Sequence, residues 1–231
     1  MLFDLRGRGR RRTVQAIYLS LAIIMGGGLV LFGIGGATSG GLLDAIQGSS
    51  GSTNAGDVFQ KRVDRLEKRL KANPKDANAW AQLSVLRFQV ATTSGENYDS
   101  TSGTYTAKGK DELRQAAAAW QRHLAVAGDK PNITAAKDMV QAYGVAGLRN
   151  YPEAVKALEF VIAATPNATY QTYAQLAVLA HGAKQDRKAT LAENKAVDLA
   201  PKAQRKTLRQ QIKAAQQQLD AAAGGTQTSG Q

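Results

Sequence analysis

The chain's 231 residues leave room for one domain, or one domain with appendages. Hydrophobic residues make up 43% and aromatic ones 6%, with a mean hydropathy of −0.31, a balance that favours helices packed with small residues over a β-sandwich. The lack of cysteine excludes disulfides, thiol catalysis and cysteine-based metal sites, while a net charge of +12 suits an anionic membrane surface, acidic partners or nucleic acid.

Residues 1–13 form a basic start, with Arg6, Arg8, Arg10, Arg11 and Arg12. No charged residue then occurs between Thr13 and Leu43. The run 14–36 reaches roughly 34 Å as a helix, enough to cross a bilayer with modest tilt. The apolar region of a secretory signal is shorter, about 7–15 residues, so an anchor is expected; a small-x-small site at Gly35-Gly36-Ala37 keeps cleavage as the alternative. With no lysine or arginine between Thr13 and Gln60, the positive-inside rule places the N-terminus in the cytoplasm and everything after residue 37 outside it. Localisation in the cytoplasmic membrane by a single pass follows. Glycine is tolerated in such helices, and small residues four apart let helices approach closely. Ala22 with Gly26 and Gly33 with Ala37 have that spacing. They offer a packing face to a second copy, in a homodimer, or to the helix of another membrane protein, in a heteromeric complex.

Residues 37–56, rich in Gly, Ser and Thr, read as a flexible linker. From Asp57 to Ala72 an apolar stripe of Phe59, Val63, Leu66 and Leu70 predicts an amphipathic helix. Its other face carries Lys61, Arg62, Arg65, Lys68, Arg69 and Lys71, and it ends at Asn73-Pro74. Prolines 74, 131, 166 and 201 follow helical stretches, and the last two intervals are both 35 residues. A period near 34 residues is the mark of helix–turn–helix repeats.

Residues 170–201 carry Tyr173, Leu176, Ala177, Ala189, Ala196 and Pro201 at the tetratricopeptide distances. Tyr151, Ala154, Leu158 and Pro166 keep the same register, with Met139, Val140 and Tyr143 on the preceding helix if its turn carries one extra residue. Trp80 and Leu83 open a further repeat, with Ser84 where glycine is usual. The region 57–223 therefore resembles a tetratricopeptide repeat domain of about three repeats. The fold class expected is all-α, a transmembrane helix followed by an α-solenoid. Arg87 and Ala180 stand where the family has tyrosine, and residues 92–109 read as a loop inserted in the first repeat. In the helix after that loop, Ala116 with Trp120 and Ala119 with His123 are competing registers. The 57–72 helix and a last one, about 202–222 with Leu208, Ile212, Ala215 and Leu219, cap the stack. Residues 224–231 are expected to be disordered.

No catalytic constellation is legible. His123 and His181 lack an acid and nucleophile in a recognisable arrangement, and zinc needs three or four ligands, so His181 reads as a groove or turn residue. Neither a metal nor another cofactor is expected. Asn132 and Asn167 match glycosylation sequons, but their place after repeat-ending prolines suits a turn or N-cap better. What remains is binding on the concave side, lined by the first helix of each repeat. By resemblance the groove positions are Asn78, Ala81, Val85 and Phe88; Thr134, Lys137, Gln141 and Gly144; Gln171, Ala174, Val178 and His181. They lack a lysine–asparagine clamp, so an extended or helical protein segment held by apolar contacts is the expected ligand.

The plan is similar to single-pass, tetratricopeptide-containing bacterial envelope proteins, including translocon-associated subunits, and the opening residues look like small actinobacterial membrane proteins. The resemblance implies a non-catalytic, chaperone-like scaffold for protein partners near an export channel; the alternative is a structural subunit of a division or secretion machine. From Thr53 onward the balance is +9. It raises nucleic acid as a third partner, but no aromatic-rich basic motif supports that and the expected topology removes it.

Overall fold

The computed structural model describes residues 55–93, 95–128 and 130–224. The expected anchor 14–36, its packing residues Ala22, Gly26, Gly33 and Ala37, almost all of the linker and the tail from 225 lie outside them. The described residues belong to the unit Gly51–Gln231, and none of their helices is long and apolar enough to cross a membrane.

Among the described residues the unit is helical apart from one short β-hairpin. In chain order come α1 (Ala55–Ala72), α2 (Ala77–Thr93), β1 (Tyr98–Asp99), β2 (Thr104–Tyr105) and α3 (Ala107–Ala127). Then follow α4 (Ile133–Ala142), α5 (Tyr151–Ala163), α6 (Tyr170–Gly182), α7 (Asp186–Leu199), a 3-10 turn (Lys202–Gln204) and α8 (Arg205–Gly224). Helices adjacent in sequence pack on one another from α1 through α8, α2 also packs on α4, and α6 on α8. Phe59, Val63 and Leu70 of α1 are buried, as the stripe requires, and so are Leu208, Ile212 and Leu219 of α8. Both terminal helices therefore cover apolar surface that the hairpins between them would expose.

Local signals place the helix starts. The Asp76 carboxylate accepts the Ala79 N–H (2.9 Å) ahead of α2. Thr106 caps α3 through the Gly109 N–H, and Asn132 caps α4 through the Ala135 N–H at 2.9 Å. Each cap satisfies a donor that the first helical turn leaves over. Asn167 stands in the turn before α6, whose N-cap is Thr169.

Three expectations change. The segment 92–109 is not a plain loop. Helix α2 extends to Thr93, and a β-hairpin pairs Tyr98 with Tyr105 before α3 begins at Ala107. The Asp99 carboxylate accepts the N–H groups of Thr101 and Ser102 and the Ser102 hydroxyl, which folds the tip. The Tyr rings meet edge-on, 5.0 Å apart. Helix α3 starts against this hairpin so closely that a Cβ on Gly109 would lie 2.0 Å from the Asn97 carbonyl oxygen. The second change is the turn between α4 and α5. It spans 143–150, far more than one residue longer than the turn 183–185 between α6 and α7. Finally, the two registers for α3 do not compete: Ala116, Ala119, Trp120 and His123 are all buried. A helix packed on α2, α4 and the aromatic face of α5 buries more than one stripe.

Candidate functional site

Helices α2, α4 and α6 carry the twelve positions expected to line a binding face. Asn78, Thr134 and Lys137 are exposed, and Val85, Gln141, Gln171, Val178 and His181 are half-buried. These eight reach solvent. Ala81, Phe88 and Ala174 are buried in the core cluster, and Gly144 is buried in the turn after α4. Those four are packing residues. The packing of α2 on α4 brings the first two groups to neighbouring helices, while α4 and α6 are linked through α5, which packs on both.

Behind this face, side chains distant in sequence fix the helices. His123 is 2% exposed. Its Nε2 accepts the Asn132 N–H at 2.8 Å, so the ring proton sits on Nδ1, which donates to the Ala77 carbonyl at 2.8 Å. One imidazole thus ties α3 to the first turns of α2 and α4. Trp120, one helical turn before it, is 1% exposed and meets Phe160 of α5 edge-on with ring centroids 6.2 Å apart. At the other end of α6, Gly182 lies so close to α5 and α8 that a Cβ there would sit 2.9 Å from the Tyr151 ring and 3.2 Å from Leu219.

The acidic residues look scattered in sequence, yet Glu67 of α1 and Glu112 of α3 converge on Arg87 of α2. The guanidinium, 8% exposed, donates to Glu67 at 2.6 Å and to both oxygens of Glu112 at 3.0 and 3.3 Å. Arg87 thus joins α1, α2 and α3. Gaps of 20 and 25 residues to its partners hid it from any local pattern.

Asp138 of α4 was not singled out by the sequence. It is half-buried, makes no ion pair among the described residues, and burial pushes its pKa up to about 7 against the weaker pull of Lys137. Tyr105 of the β-hairpin lies near enough to feel its charge. Burial, with smaller contributions from Tyr98 and Asp138, raises that phenol to about 12.

His181 is not isolated. Its Nε2 donates to the Asp220 carboxylate of α8 at 3.0–3.1 Å, and that bond, with Lys184 at 3.5 Å, holds Asp220 below the usual carboxylate range. His181 thus latches the terminal helix onto α6. The chain matches no protein-family model, and no curated protein or solved structure is significantly similar to it.

Proposed function

We propose that the helical unit is a tetratricopeptide-like scaffold that holds a partner polypeptide along the solvent side of α2, α4 and α6. In this reading the 14–36 run anchors it in the cytoplasmic membrane, the unit lies on the extracytoplasmic side, and its role is chaperone-like and non-catalytic, near the site of protein export.

One observation carries the repeat reading. The interval of 35 residues between Pro166 and Pro201 recurs in backbone geometry. Arg149 and Lys184 both take positive φ (53° and 58°), each two residues before a helix, at Tyr151 and Asp186. A non-glycine residue in the left-handed region is uncommon. Two of them 35 residues apart, each two places before a helix though the turns differ in length, support a duplicated helical hairpin. The half-buried Val85, Gln141, Gln171 and Val178 are the mixed apolar and amide surface that an extended or helical segment would use.

Photocrosslinking in cells from Gln141, Gln171 and Val178 tests the role. An exported chain, a folding factor or a translocon component is the expected product. Crosslinks to none of these would overturn it. A reporter fused after Gly56 tests topology separately, and cytoplasmic reporter activity would overturn the membrane arrangement.

A further inference from the structure

Helix α1 presents a surface that the binding face does not use. Lys61, Arg65 and Lys68 lie at helical spacing on its outward side, opposite the buried Phe59, Val63 and Leu70, and all three are exposed. Arg62 is half-buried at its flank and Lys71 is exposed. Asp64, exposed between Lys61 and Lys68, offsets one of these charges. Glu67 is drawn to Arg87 at 2.6 Å, and Asp64 accepts a hydrogen bond from Gln60 at 3.0 Å. Arg69 pairs with Asp76 at 2.7 Å. Lys61, Arg65 and Lys68 make no ion pair among the side chains described. Arg65 spends its Nε–H on the Lys61 carbonyl, which stiffens it along the helix.

Position in the chain gives the ridge its partner. It begins directly after the linker that follows the uncharged 14–36 run. On the proposed linker reading, residues 37–54 give a root-mean-square span of roughly 23 Å. That keeps α1 near the bilayer surface but does not hold it there, because charges are screened within about 10 Å. Contact must come from α1 itself, and basic residues close to a membrane span bind anionic headgroups. The tether makes that contact intramolecular, so a modest patch suffices.

We propose that the Lys61–Arg65–Lys68 ridge docks α1 on the anionic lipid surface of the membrane that holds the 14–36 anchor. The inference rests on the anchored reading. Docking lays α1 along the headgroups and gives the helical unit a fixed attitude to the bilayer.

The lack of cysteine makes a single-site probe clean. The full chain carrying Ala72→Cys, labelled with a nitroxide, is reconstituted in nanodiscs of phosphatidylcholine with or without phosphatidylglycerol, with a Lys195→Cys label on α7 as control. Relaxation enhancement from a gadolinium headgroup lipid is expected at residue 72 in the anionic discs alone, and it should be lost at 0.5 M salt. Lys61→Gln, Arg65→Gln and Lys68→Gln together should weaken it on the order of a hundredfold, at about fivefold per charge, with the circular dichroism unchanged. Enhancement equal in both compositions, or absent from both, overturns the proposal. Failure of the chain to copurify with discs would instead sink the anchor. Flotation of the same full chain with phosphatidylglycerol vesicles then decides the ridge: salt-sensitive binding lost in the triple variant supports it, and no binding overturns it.

Discussion

The hairpin of α2 with α3 and the hairpin of α6 with α7 both pack on buried alanines, but only the first adds large and charged anchors. The first is interrupted by a β-hairpin and adds large or charged groups, Trp120, His123 and the Arg87 cluster, to buried alanines at 79, 81, 91, 116, 117 and 119. The second closes through a three-residue turn, and its interface is largely buried alanine, at 174, 177, 180, 189, 192 and 196. Large anchors concentrate stability in single side chains. Alanines spread it over backbone approach, where no residue matters much when made smaller and many matter when made larger.

The comparison breaks most clearly at Trp120. Trp120→Ala removes the contact with Phe160 and should cost about 3–5 kcal/mol, seen as a lower midpoint in urea unfolding. Next is Arg87. Arg87→Ala leaves Glu67 and Glu112 facing each other without a cation and should cost about 2–4 kcal/mol. The double variant Arg87→Met with Glu112→Leu should recover most of that, because a partly buried charge cluster is costly to break yet cheap to replace. In the last hairpin the sign of the size change reverses. Ala177→Leu should cost about 1–3 kcal/mol by overpacking, and Ala177→Gly about 1 kcal/mol through helix propensity. If Ala177→Gly proves as damaging as Trp120→Ala, the contrast is wrong.

The last effect lies between the two hairpins and depends on pH. Asp138 has its folded pKa raised to about 7. Between its ordinary value near 4 and 7 the folded chain therefore holds a proton that the unfolded chain releases. Stability on this account falls as pH rises through that window and then levels off. Asp138→Asn should raise stability by about 1–2 kcal/mol at pH 8 and change it little at pH 4, read as unfolding midpoints at the two values.

Helix positions were legible because their signals are local. The stripe of Phe59, Val63 and Leu70, the cap at Asn132 and the prolines closing the later hairpins are each spelled within a dozen residues. Ala177, Ala189 and Ala196 were legible as packing residues by their spacing, whereas Ala174 was expected to line the groove and is buried. What escaped reading is non-local. Nothing within one helix of Arg87 announces two glutamates, and nothing near His123 announces a carbonyl at residue 77. The positions taken from the resemblance divide for the same reason. The resemblance picks out a side of α2, but only the neighbours decide that Ala81 and Phe88 turn into the core while Val85 reaches water. The β-hairpin at 98–105 was hidden by composition, because Gly, Ser and Thr spell a loop until Asp99 is seen gathering the tip.

The shared left-handed residue at Arg149 and Lys184 has a consequence for how such a chain can change length. On the proposed repeat reading residues 150–184 are one whole period, and cutting them out joins Arg149 to Gln185. The junction again has a left-handed residue two places before the next helix, so the shortened backbone meets a turn it already knows how to make. Duplicating the same segment meets the same turn twice. On that reading the chain is written in interchangeable parts, and the number of parts is a quantity that an unequal exchange could alter without inventing a new bend.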